Sequence, residues 1–235
     1  MRTIVYIDGF NFYYSIRFTP YRWTDPLALS RVMFPTFDIR KVKYFTAKVK
    51  PHPDDPDART RQSVYFRALE TLSPTVELFE GRFIRKRTPM ALDWPNDGRL
   101  RRALLALALG ERRVLDHGNP KVRVIKTEEK GSDVNLATHL VSDAYEDRFD
   151  AAAVLSNDGD LVYPLSFVRE KLGKQVILFN AAGYRHPRLA PVGTPGSSYK
   201  RIRHGALSAS QFPAQLTDAK GAFHRPDGWD QPKKR

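Results

Sequence analysis

Ala151-Ala-Ala-Val-Leu155 is an unbroken apolar run followed at once by Ser156-Asn-Asp-Gly-Asp160. Successive side chains of a strand point to opposite faces, so such a run suits only a strand that is covered on both sides. Ile4-Val-Tyr-Ile7 and Gln175-Val-Ile-Leu-Phe179 have nearly the same character, and residues 42–49 and 76–79 are also strand-like. Between these runs lie amphipathic stretches at 58–72, with Val64, Ala68 and Leu72 on one stripe, at 133–145 and at 161–172. Gly173 provides a stop for the last of them. Strands that alternate with helices predict an α/β fold, a three-layer α/β/α sandwich around a mostly parallel central sheet.

The chain of 235 residues is long enough for one large domain with a real core. No apolar run approaches the ~20 residues of a membrane span, so no membrane partner is expected. The N-terminal stretch lacks an apolar segment with a small-residue cleavage site, and the chain has no cysteine. Both features predict a cytoplasmic location and exclude disulfides and thiolate metal sites.

Two regions interrupt the alternation. Residues of about 85–121 form a basic insertion containing a helix candidate at 99–109, and residues 220–235 have the composition of a flexible basic tail. The expected domain therefore runs from 1 to 219 with the insertion inside it. A short helix is predicted near 204–210. The net charge of +13 is concentrated in two wider blocks: residues 82–126 carry 12 Lys/Arg against 4 Asp/Glu, and residues 184–235 carry 10 against 3. Such blocks attract polyanions, nucleic acid first among them. Lys130, Arg85, Lys86, Arg87, Arg101 and Arg102 are the candidate contacts to an RNA backbone. A solvated helix and loop is the simpler alternative for each.

Parallel topology gives the carboxylates their meaning, because it brings the carboxyl ends of all strands to one edge, where open α/β folds bind ligands. Asp8 ends the first strand, and Asp158 and Asp160 follow the run at 151–155. Lys130-Gly-Ser-Asp133 opens a helix whose buried stripe is Leu136, Ala137, Leu140 and Ala144, which turns Asp133 toward the same edge. Asp158, Asp160 or Ser132 each suffices as a helix cap, whereas Asp8 sits where a strand ends and Asp133 lies one position past the better cap Ser132. Four together exceed what caps require. Two unit charges 4 Å apart repel by about 4 kcal/mol at an effective dielectric near 20, so the cluster calls for a counter-charge. With no cysteine and no histidine beside these acids, the donors are hard oxygens, which suit Mg2+ or Mn2+. His52, His117 and His139 have no partner at metal spacing and are assigned structural roles.

Val5-Tyr-Ile-Asp-Gly-Phe-Asn-Phe12, Lys130-Gly-Ser-Asp-Val-Asn135 and Leu155-Ser-Asn-Asp-Gly-Asp-Leu-Val-Tyr-Pro-Leu165 together resemble the three signature blocks of NYN-domain proteins, in the LabA-like branch of the PIN-like nuclease superfamily. The resemblance covers about residues 1–183. It implies a PIN-like, Rossmann-like sandwich and Mg2+-dependent ribonuclease activity, with Asp8, Asp133, Asp158 and Asp160 as the catalytic and metal-binding acids. Asn11, Ser156 and Asn157 then fall into supporting positions around them. Where the family often has Ser-Gly-Asp-Ser-Asp-Phe, this chain has Ser-Asn-Asp-Gly-Asp-Leu, which keeps both carboxylates and changes the loop between them.

The leading expectation is an endoribonuclease that hydrolyses RNA with a metal-activated water. A non-catalytic RNA-binding regulatory module on the same fold is the alternative from a different class. A metal-dependent phosphatase is a third, although the first strand is followed by Asp8-Gly-Phe10 and lacks the Asp-x-Asp nucleophile of haloacid-type phosphatases. Phe12, Tyr13 and Tyr14 offer a base-stacking face, with at least one of them expected in the core. A homo-oligomer is compatible with the sequence and not specified by it.

Overall fold

A computed structural model describes residues 1–51, 55–91, 121–181, 189 and 199–232. They form two compact units, 1–83 with 129–235, and 84–128. In chain order the elements are β1 (Arg2–Asp8), α1 (Gly9–Ile16), α2 (Pro26–Met33), β2 (Asp38–Ala47), α3 (Ala58–Glu70), β3 (Val76–Ala91), β4 (Lys121–Lys130), α4 (Ser132–Tyr145), β5 (Ala151–Leu155), a 3-10 turn (Gly159–Leu161), α5 (Val162–Glu170), β6 (Gln175–Asn180), β7 (Tyr199–Arg201), α6 (His204–Ala209), β8 (Gln215–Asp218) and β9 (Gly221–His224).

The expected α/β architecture is present. Among the described residues a seven-stranded sheet has the order β4-β3-β2-β1-β5-β6-β7, and the pairings β3–β2, β2–β1, β1–β5, β5–β6 and β6–β7 are all parallel. Strand alternation then fills two cores. Val5 and Ile7 of β1 point into one with Phe12, Trp23, Tyr44 and Phe66, while Ile4 and Tyr6 point into the other with Leu136, Leu140, Leu165 and Val168. Both faces of the central strands are thus covered, which is why β5 can be a run of five fully buried apolar residues.

The topology also creates the crevice. From β1 the chain steps outward through β2 and β3, then returns to place β5 on the opposite side of β1. The carboxyl ends of β1 and β5 flank that reversal, the position at which open parallel sheets leave room for a ligand.

Two elements depart from the sequence expectations. Helix α2 was not anticipated, although Asp25-Pro26 carries its signal: the Asp25 carboxylate accepts from the Leu27 and Ala28 amides, and Pro26 fits the first helical turn. The flexible tail expected from 220 onward is instead folded as far as the described residues extend. β8 and β9 pair as a hairpin. Arg67 of α3 holds Asp218 through two hydrogen bonds of 2.5 and 2.6 Å and lies over the Phe223 ring. Trp229 is buried against Trp23, with ring centroids 6.1 Å apart. Phe223 and Trp229 anchor a segment whose Gly, Pro and charge content suggested disorder.

In the 84–128 unit, the outer parts of β3 and β4 expose Arg85, Lys86 and Arg87, and Glu128 pairs with Lys86 at 3.7 Å and with Lys126. The helix candidate at 99–109, together with Arg101, Arg102, His52 and His117, lies outside the described residues. Among the described residues no helix is long and apolar enough to cross a membrane.

Candidate active site

Asp8 is the last residue of β1 and also caps α1. Its Oδ1 accepts from the Asn11 amide at 2.9 Å, while its Oδ2 accepts from the Ser156 hydroxyl at 3.0 Å, across the β1–β5 junction. Ser156 Oγ in turn accepts from the Asp158 amide at 3.1 Å, and Asp158 Oδ1 accepts from the Asp160 amide at 2.9 Å. Asn11 closes the arrangement by accepting from the Asn157 amide at 3.1 Å. The capping role considered for Asp158 is therefore real, Asp8 is a cap as well against the sequence expectation, and both roles coexist with a shared position. Each cap fixes a carboxylate's rotamer and leaves lone pairs free to face the crevice.

Asp8, Asn11, Asp133 and Asp158 line one basin, together with Phe10, Tyr14, Phe83 and Glu129. Four acids thus surround the site, three of them expected and one not. Glu129 is the penultimate residue of β4, three residues before the start of helix α4, and its Oε1 accepts from the Ser132 amide at 3.1 Å. Glu129 was not singled out from the sequence. The available signal was its spacing, an acid three residues before Ser132 at a helix entrance. Helix α4 begins at Ser132 with Gly131 as its cap at φ 103°, a left-handed conformation that glycine adopts without strain. Ser132 is thus inside the helix rather than its cap, and its buried hydroxyl has no partner among the described residues.

Asp160 is exposed and does not line the basin, while Lys130 is exposed at the end of β4. The acids affect one another electrostatically. The Asp133 carboxyl is raised to about 6, first by burial and then by the charges of Asp8, Asp158, Glu129 and Asp160. Asp8 is also raised, first by burial; the Asn11 and Ser156 hydrogen bonds oppose the shift and the Asp158 charge adds to it. These are the shifts of carboxylates that share one low-dielectric space.

The donor chemistry fits a hard divalent ion, since every charged group lining the basin is a carboxylate. Among the described residues no three acids converge closely enough to enclose an ion in the arrangement shown. The fit therefore lies in donor type and charge, and binding would draw the side chains together. His139 is not part of the site: its ring packs 4.2 Å from that of Phe79, and its Nδ1 lies 3.3 Å from Lys43 Nζ.

Of the three aromatic residues considered for stacking, Phe12 is core, whereas Tyr13 and Tyr14 are 36% and 57% exposed. Among known proteins, the chain is 29% identical over 251 positions to the 6-hydroxy-3-succinoylpyridine 3-monooxygenase HspA of Pseudomonas putida (strain DSM 28022 / S16), an alignment covering 97% of this chain and 75% of that protein. A crystal structure of a protein of unknown function, VPA0982 from Vibrio parahaemolyticus RIMD 2210633, is similar with a TM-score of 0.49 and 14% identity, covering 86% of this chain and 93% of that one. The family model of the NYN domain matches residues 2–191, which include the whole basin and both strands of the switch point, and the chain belongs to the NYN domain family.

Proposed function

We propose that the protein is a divalent-metal-dependent endoribonuclease, with Asp8, Asp133 and Asp158 at the centre of its site and Asp160 and Glu129 at its margin. The observation that carries this reading is the mutual repulsion of acids around one basin at the sheet's switch point. Membership of a nuclease-like family supports it. Asp8, Asp133 and Asp158 would hold Mg2+ or Mn2+, with Asp160 available from its exposed turn. When bound, such an ion supplies Lewis-acid stabilisation of charge on a phosphodiester and a nucleophile at neutral pH.

The chain's own residues perform the positioning. Ser156 and the Asn11 amide hold both oxygens of Asp8, so that carboxylate meets its ligand without searching rotamers. Asn11 ties the Asn157 amide to α1, which fixes the turn carrying Asp158 and Asp160. Exposed Lys130, Arg85, Lys86 and Arg87 provide cations for RNA phosphates. A hydrolytic cut of this class leaves a 5′-phosphate and a 3′-hydroxyl.

The test is to incubate labelled single-stranded RNA, structured RNA and DNA with the protein and with Asp158→Asn, in Mg2+, Mn2+ or EDTA. Cleavage of RNA that requires metal and is lost in the variant is expected. Equal cleavage in EDTA, or full activity of Asp158→Asn, contradicts the mechanism. Tight, salt-sensitive RNA binding without turnover in either metal would select the RNA-binding module, and phosphate release from a nucleotide without RNA cleavage would select a phosphatase.

A second reading has one specific observation behind it. The relative that aligns with 97% of this chain is named a monooxygenase of a pyridine compound, and an aromatic-lined cavity adjoins the basin here. Oxygen uptake in the presence of an aromatic acid and a two-electron reductant would favour that chemistry over RNA hydrolysis.

A further inference from the structure

Beside the acid basin, and sharing Phe10 and Tyr14 with it, lies a second cavity of about 350 Å3 bordered by α1 and α3. Tyr13, Tyr14, Phe18 and Trp229 supply much of its wall. The Tyr13 and Tyr14 rings lie 5.8 Å apart at 73°, and both are partly open to solvent. The Arg17 guanidinium lies 4.8 Å from the Tyr14 ring centroid and 4.6 Å from that of Phe18. Aromatic faces next to guanidinium groups form a surface for flat rings, by stacking and by cation–π attraction.

The second observation is Arg22, which lines the same cavity and is only 9% exposed. Its Nη2 donates to the carbonyl oxygens of Gly228 and Gln231, the latter at 2.7 Å. Its Nε is buried with no hydrogen-bond partner among the described residues, and Asp230, the carboxylate whose charge reaches it, is paired with Arg225 at 2.8 Å. Asp55, the acid of the cavity wall, is paired with Arg61. Carbonyl oxygens satisfy donors without neutralising charge, and burial lowers the Arg22 pKa accordingly. A buried guanidinium with a free N–H and no carboxylate in contact with it is a receptor for an anion.

We infer that this cavity binds a planar aromatic ring that carries an anionic group, with the ring against Tyr13 and Trp229 and the anion on Arg22. Two sources share that chemistry: a nucleotide, with base and phosphate, and a free aromatic carboxylic acid. The nucleotide source rests on the ribonuclease reading, as the base of a residue near the cut; the cavity's preference for ring plus anion does not.

Titration of the whole chain in EDTA, followed by tryptophan fluorescence and calorimetry, tests the inference with AMP, adenosine, inorganic phosphate and 3-benzoylpropionate. AMP or 3-benzoylpropionate is expected to bind about tenfold or more tighter than adenosine or phosphate alone, because only they use both parts of the cavity. Stronger AMP binding identifies the nucleotide source, and stronger 3-benzoylpropionate binding identifies the acid. Arg22→Met is expected to weaken the preferred probe about tenfold, the loss of one charge-assisted contact. Arg22 also holds the 228–231 turn, so Tyr13→Ala provides a second variant that leaves that turn intact; it should bind about tenfold more weakly at an unchanged melting temperature. Ring-plus-anion probes that bind no better than adenosine or phosphate overturn the inference, as does unchanged binding in both variants. Because nothing is cleaved in this assay, probe binding without RNA cleavage removes only the ribonuclease reading, and RNA cleavage without probe binding removes only the cavity's role.

Discussion

Asp133 shows how single positions combine structure with chemistry. Its carboxyl is raised from 3.8 to about 6 by burial and by neighbouring acids, so between those two pH values the folded chain holds a proton that the unfolded chain releases. The stabilisation associated with that proton is complete below about 4 and is lost as the pH rises through about 6. In EDTA, the melting temperature of the wild type should therefore fall between pH 4 and 7 by more than that of Asp133→Asn, and Mg2+ at pH 7 should restore stability to the wild type alone. Parallel melting curves check both statements; identical pH profiles would show that the acids do not interact. Gly81 is a second such position. A Cβ there would lie 2.6 Å from Glu129 Oε1 and 2.9 Å from the Lys130 carbonyl oxygen, so Gly81→Ala should displace the Glu129 corner. A stability loss of about 1–3 kcal/mol, the usual cost of overpacking, is expected in chemical denaturation. Asp8, Asp133 and Asp158 were legible because each lies at an element boundary that the sequence marks. Glu129 was not, because only the hydrogen bond to Ser132 turns it from a strand-end charge into a lining residue.

The strands and helices explain why most of the fold was legible and where it was not. β1, β5 and β6 are apolar on both faces, and no exposed strand looks like that. α2 has only eight residues, too short for a convincing helical period, and its Asp-Pro start is local evidence that is easily missed. Lys43 is the more instructive exception. It sits in β2, where a lysine suggests an exposed face, yet it is 4% exposed and its Nζ lies 2.6 Å from Asp143 Oδ2 of α4. Tyr6 of β1 donates to the same oxygen at 2.7 Å, and the Asp143 charge adds to the upward shift that burial imposes on the Tyr6 phenol. The pair joins β1, β2 and α4 in one layer, and no local pattern reveals a partner 100 residues away. Lys43→Met leaves buried Asp143 with only the partly exposed Arg148, at 3.3 Å, as a cation among the described residues and should cost about 3–5 kcal/mol by denaturant unfolding, whereas Lys43→Met with Asp143→Leu should recover much of that loss. A double variant no more stable than the single one would mean that the pair is not the source of the effect.

At the scale of the molecule, folding of the C-terminal segment is the largest departure from expectation. Phe223 and Trp229 are 7% and 6% exposed, and Arg67, Arg22 and Trp23 hold the segment to the domain core. Composition described 220–235 as a tail because it averages over the two aromatic residues that decide its fate. Trp229→Ala should destabilise the domain by about 3–5 kcal/mol in denaturant unfolding, a core-like loss that a solvated tail would not show. The β1–β5 reversal gathers acids from three distant parts of the chain around one basin, which we propose as a metal-dependent centre for RNA cleavage. Single-turnover cleavage of a labelled RNA by wild type and Asp133→Asn, each titrated with Mn2+ and each with its RNA affinity measured, tests it most directly. A cleavage rate at least about a hundredfold lower in the variant is expected, at near-equal RNA affinity and in proportion to lost metal response; cleavage by Asp133→Asn at the wild-type rate, or a wild-type rate indifferent to Mn2+ and EDTA, would rule out a metal centre built on these acids.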